Sequence, residues 1–102
     1  MTSALANIGD GATIYIGSDR TAATVVKVTP KTVTLQRDNS TPAADFDFYA
    51  NQSYDFTPNP EAGESVFSLR QDGKLYMKGT EMGRNGIRCT IGTRDQYRDP
   101  SF

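Results

Sequence analysis

The sequence predicts an all-β fold, a small or partly open barrel of five to six short antiparallel strands. Two observations carry this expectation. Apolar residues nowhere recur at i, i+3, i+4, i+7 over three turns, so no amphipathic helix is encoded. Period-two alternation, by contrast, returns repeatedly between Gly, Pro, Asn and Asp turn signals, the signature of half-buried strands. At 102 residues the chain suits a single domain with a modest core.

The first strand is read where Ala12, Ile14 and Ile16 alternate with Thr13 and Tyr15, bounded by Gly9-Asp10-Gly11 and Gly17-Ser18-Asp19. A second run follows, with Thr24, Val26 and Val28 alternating with Val25 and Lys27. It stops at Thr29-Pro30-Lys31 and resumes as Val33 and Leu35 against Thr32, Thr34 and Gln36. Two β-rich runs joined by a short Pro turn predict a hairpin.

Residues 38–64 change character. They hold three of the five prolines and six acids, yet also Phe46, Phe48, Tyr49, Tyr54 and Phe56. Disordered linkers are poor in aromatics, so an excursion is expected whose aromatic residues cover one barrel mouth, with one short strand near Tyr54 to Thr57. The next hairpin is set by register. A two-residue Asp72-Gly73 loop would mix polar and apolar side chains on both faces. A three-residue Gln71-Asp72-Gly73 loop, with Gly73 left-handed, pairs Leu69 with Leu75 and Phe67 with Met77 on one apolar face, and leaves Ser68, Lys74, Tyr76 and Lys78 on the other. Ile87, Cys89 and Ile91 then alternate with Arg88 and Thr90 as a last strand, before a polar tail at 93–102.

The composition narrows function by exclusion. There is no histidine, which removes Ser-His-Asp and Cys-His catalysis and most zinc sites. The expectation is therefore a non-enzymatic protein without cofactor or metal. Asp45-x-Asp47 is a close carboxylate pair, but Tyr49 and Phe56 stand where a calcium loop needs oxygen ligands. Cys89 reads as a buried small hydrophobe. A single cysteine closes no disulfide, and with no hydrophobic signal segment the expected setting is a reducing cytoplasm. No apolar run approaches the roughly twenty residues of a membrane span, so no membrane partner is expected.

Charge is uneven along the chain despite a net charge of -1. Residues 1–37 carry four cations against two acids, residues 38–69 six acids and no cation, and residues 70–102 seven cations against four acids. Seven of the eleven cations are arginine, whose planar fork suits phosphate or carboxylate contacts and stacking on bases. Arg20, Arg37, Arg84, Arg88, Arg94 and Arg98, with Tyr97 between the last two, are the candidate ligand-binding set. Tyr15 and Tyr76 are further candidates for stacking surface. Gly83-Arg84-Asn85-Gly86 also matches a Gly-x-x-Gly nucleic-acid clamp, but that clamp joins two helices and here precedes β character.

The succession of strand, tight turn, Thr24-Val25-Val26-Lys27-Val28, turn and Thr32-Val33-Thr34-Leu35-Gln36 resembles the start of an SH3-like or KOW barrel. A second resemblance spans most of the chain. Ser18-Asp19-Arg20, Thr24-Val25-Val26 with Val28, Gln36-Arg37-Asp38, Tyr54, Gly92-x-Arg94-x-x-Tyr97 and Ser101-Phe102 resemble a group of small proteins encoded by tailed bacteriophages and prophages. That resemblance implies an accessory protein of the host cell cytoplasm that counters a host defence system. Its partner would be a host defence protein or a nucleotide-like small molecule held by the arginines. The alternatives are a nucleic-acid-binding barrel module and a small structural or assembly protein, and open strand edges would favour a homo-oligomer.

Overall fold

The structure, a computed structural model, describes residues 5–49, 52–80 and 86–97. Among these described residues there are eight strands: β1 (Gly11–Ile16), β2 (Asp19–Val28), β3 (Thr32–Arg37), β4 (Asn39–Pro42), β5 (Tyr54–Thr57), β6 (Glu64–Leu69), β7 (Leu75–Met77) and β8 (Arg88–Ile91). No helix occurs among the described residues, and none is long and apolar enough to cross a membrane. Six strands close into an antiparallel barrel in the order β1-β2-β3-β6-β7-β8, with β8 returning to β1. The barrel is closed rather than partly open, so its strands leave no unpaired sheet edge. The remaining two, β4 and β5, form a separate ribbon inserted between β3 and β6.

Strand alternation fills the interior. Ala12, Ile14, Ala23, Val25, Val33, Leu35, Phe67, Leu75 and Cys89 form the buried core, and Val28, Met77, Ile87 and Ile91 pack against it. Burial pushes the Cys89 thiol up to about 12, so it packs as a hydrophobe between Leu75 and Ile14. One feature of β2 departs from plain alternation. Its register against β3 shifts between Val25 and Lys27, making Val26 the extra residue of a bulge. Val25 faces Leu35 and Val28 faces Val33, so both turn inward although they stand three positions apart, an odd offset that plain alternation would put on opposite faces. An unbroken strand would have grouped Val26 with Val28.

The turns follow their residues. In Thr29-Pro30-Lys31 the Thr29 N–H donates to the Thr32 carbonyl at 2.9 Å, and the Thr29 hydroxyl accepts from the Thr32 N–H at 3.0 Å. At β6 and β7 the register pairs Leu69 with Leu75 and Phe67 with Met77. Gly73 has φ +82°, and the Arg70 and Lys74 backbones close the three-residue loop. Gly73 is needed because the closing residue of this loop is left-handed.

The acidic excursion contains the expected strand at Tyr54–Thr57, paired with a β4 that sequence alternation does not reveal. Its aromatic residues do not plug the barrel. Phe46 meets Tyr54 edge-on at 5.2 Å, Tyr54 stacks with Phe56 at 6.4 Å, and none of the five belongs to the core cluster. Six short strands already fill their own interior with side chains, leaving no room for rings from outside.

Candidate functional site

The residues between the core positions point outward, and the register sets them side by side. Tyr76 lies opposite Arg88, Arg88 opposite Tyr15, Tyr15 opposite Arg20, and Arg20 opposite Tyr97. At the ordinary strand spacing, these five positions make an alternating Tyr-Arg row roughly 19 Å long. Tyr97 joins because the tail bridges to β2 at that one residue. Its N–H donates to the Arg20 carbonyl at 2.8 Å and its carbonyl accepts from the Arg20 N–H at 2.9 Å. The tail occupies the stretch of β2 that β3 leaves when its chain departs at Arg37. It covers Thr13, whose hydroxyl donates to the Thr93 carbonyl, and Ala22, whose N–H donates to the Gln96 side-chain oxygen.

Each cation of the row lies over a ring, and so does Arg70 beside it. The guanidinium carbon of Arg88 stands 4.4 Å from the centroid of Tyr15, that of Arg20 4.8 Å from Tyr97, and that of Arg70 5.8 Å from Tyr76. Such stacking fixes the guanidinium plane while leaving its second face and its edge donors available. Arg20 also pairs with Asp95 at 3.0 Å, both about two-fifths exposed, an attraction that water largely screens. Arg88 has no ion pair with a carboxylate among the described residues.

Tyr76 is only 1% exposed although it faces outward beside Ser68. Its hydroxyl donates to Asp72 at 2.7 Å and Arg70 covers its ring, so it anchors the row instead of offering a surface. The hydrogen bond from Tyr76, followed by that from the Lys74 N–H, holds the Asp72 carboxyl below its ordinary 3.8. A depressed carboxyl stabilises the fold above the unfolded value and loses that contribution as pH falls through the folded one. Tyr76→Phe is therefore expected to melt earlier than the parent at neutral pH. The gap should narrow in thermal melts taken below pH 3.8, whereas a constant gap would dissociate it from Asp72.

A second feature lies between the ribbon and the barrel. A cleft of about 370 Å³ is lined by Thr24, Asp38, Tyr54, Asp55, Phe56, Thr57, Pro58 and Arg94. The Asp38 side chain is 3% exposed and both its oxygens are engaged, one by the Thr24 hydroxyl at 2.6 Å and one by Arg94 Nε at 2.9 Å. Arg94 Nη2 donates to Thr24 at 3.1 Å, closing a three-membered network.

The structure thus divides the arginines that the sequence singles out. Arg20, Arg88 and Tyr97 converge on the row with Tyr15. Arg94 lies in the cleft, bound to Asp38. Arg37 is exposed at the end of β3, opposite Ala23 and off the row. Arg84 and Arg98 lie outside the described residues, as do Gly83 and Asn85. Sequence reasoning did not include Arg70 in the set. The signal available for it was its position directly after β6, two residues beyond the outward Ser68. No protein-family model, curated protein or solved structure matches the chain.

Proposed function

We propose that this chain is a non-enzymatic binding protein that holds a nucleotide-type ligand on the Tyr-Arg row. The observation that supports it is the stacking of Arg88 on Tyr15 and of Arg20 on Tyr97 along one continuous line of the barrel wall. Each stacked guanidinium offers a flat face to a base and edge N–H groups to a phosphate. Because the tyrosine already restricts the arginine, less side-chain entropy is lost on binding. The overall charge of -1 is no obstacle, since six of the acids lie in residues 38–69 and not along the row. Resemblance to small proteins of tailed phages adds a setting. In the host cytoplasm such a protein would withdraw a nucleotide signal from a defence system.

The test is a binding titration with two probe sets, nucleoside phosphates including cyclic forms, and short single-stranded oligonucleotides, each at low and physiological salt. Arg88→Ala is expected to weaken the better ligand about tenfold, in line with the loss of one stacking and phosphate contact. If an oligonucleotide is the better ligand, the substitution should also reduce the salt slope by about one. Unchanged affinity in both Arg88→Ala and Arg20→Ala, or the absence of any salt-sensitive binding, would overturn the reading.

A further inference from the structure

The cleft between β5 and the tail differs from the row in chemistry, and we propose that it is a receptor for a guanidinium group, presented as an arginine side chain by a partner polypeptide. Its floor is already neutral, because Arg94 and Thr24 engage both oxygens of the buried Asp38. Arg94 has two of its nitrogens committed to that network, which leaves it poorly placed to grip an anion. The wall is aromatic. Tyr54 and Phe56, one strand repeat apart, are half-buried, and their rings lie within 25° of parallel at 6.4 Å. Asp55 stands among the cleft-lining residues, exposed and without an ion pair among the described residues.

These parts together select a cation. Aromatic faces attract positive charge through the ring quadrupole, and the uncompensated carboxylate adds to that attraction. The surroundings reinforce it, since residues 38–69 contain no lysine or arginine. Among cations the geometry favours guanidinium over ammonium. A guanidinium can lie flat on the Tyr54-Phe56 wall and loses less hydration on entering, while Asp55, on the opposite face of β5, adds its charge at longer range and not through a hydrogen bond. A volume of about 370 Å³ admits the head group and part of its aliphatic stem. The proposal does not depend on the Tyr-Arg row, which shares β2 and the tail with the cleft but none of its lining side chains.

The experiment is a chemical-shift titration of the ¹⁵N-labelled full chain. With N-acetyl-arginine methylamide as probe, the amides of Thr24, Asp55 and Thr57 should shift saturably. N-acetyl-citrulline methylamide, of the same shape but neutral, is expected to bind roughly tenfold more weakly, and the lysine analogue also more weakly than arginine. Asp55→Asn should lower the arginine affinity roughly threefold with unchanged shifts elsewhere in the barrel. Phe56→Leu should act in the same direction. If Phe56→Leu does not fold, the isosteric Asp55→Asn decides alone. Equal binding of citrulline or of lysine would overturn the proposal. So would shifts centred on Tyr15 and Arg20, or displacement of the probe from the cleft by inorganic phosphate.

Discussion

Truncating Phe67 to alanine is expected to lower the stability of the fold by about 3–5 kcal/mol, the range for large apolar side chains removed from a core. Phe67 is fully buried, lies between Val33 on β3 and Met77 on β7, and is the largest apolar side chain of the core cluster. Its neighbours are held by strand pairing on both sides, so the barrel wall has little freedom to collapse into the space. A domain of this size has about 5–15 kcal/mol in total, and the melting temperature should fall by at least about 12 °C. Chemical denaturation measures it directly. Tyr49→Ala, at a position 80% exposed, serves as the comparison and should change stability by less than about 0.5 kcal/mol. A loss of less than about 1 kcal/mol for Phe67→Ala would mean that the interior is not packed as described.

The second large effect concerns Arg94 and Gly11. Arg94→Ala should cost about 2 kcal/mol, because it leaves the buried Asp38 carboxylate with Thr24 alone. The figure is below that for breaking a fully buried pair, since Arg94 itself is about one-third exposed. Gly11 explains how Arg94 reaches Asp38. A Cβ at Gly11 would stand 2.8 Å from Arg94 Nη1 and 2.9 Å from its Cγ, so the arginine lies flat across a strand position that only glycine leaves open. The φ of Gly11 is not positive, and a side chain there meets no backbone strain. Two opposite results follow for the same substitution. In the parent chain Gly11→Ala should destabilise by displacing Arg94. In an Arg94→Ala background it should be neutral or stabilising by about 0.5–1 kcal/mol, as alanine loses less backbone freedom in a strand than glycine does. A double-mutant cycle from denaturation curves measures this coupling, and additive single effects would refute it.

Local chemistry made parts of this molecule legible. The loop at Gln71-Asp72-Gly73 could be assigned because turn geometry and the apolar pattern of Phe67, Leu69, Leu75 and Met77 admit only one register together. The hairpin around Pro30 and the strands carrying Ile14, Leu35 and Cys89 were equally local. Val26 was not. Alternation places it in phase with Val28, and only the demands of β3 across the ladder decide that it bulges and that Val25 turns inward. The tail after Gly92 likewise reads as polar and unpaired. It pairs with β2 through a single bridge at Tyr97 because β3 leaves β2 at Arg37, exposing backbone groups at Arg20 and Ala22 that the Tyr97 backbone and the Gln96 side chain satisfy.

What the sequence determined by itself was therefore an all-β chain, its turn positions, most of its core-facing residues and the uneven placement of its charge. Each of these depends on neighbours within a few residues, where steric preference and period-two alternation act directly. Only the tertiary structure decided which arginines act together. Arg88 and Tyr15 are far apart in the chain, and their juxtaposition rests on β8 closing against β1. Arg94 is drawn away from them by the buried Asp38, and the cleft beside it exists only because the β4-β5 ribbon packs near the tail. Sequence patterns specify which face a side chain takes, whereas barrel closure and strand register set its neighbours, because both depend on how distant strands pair.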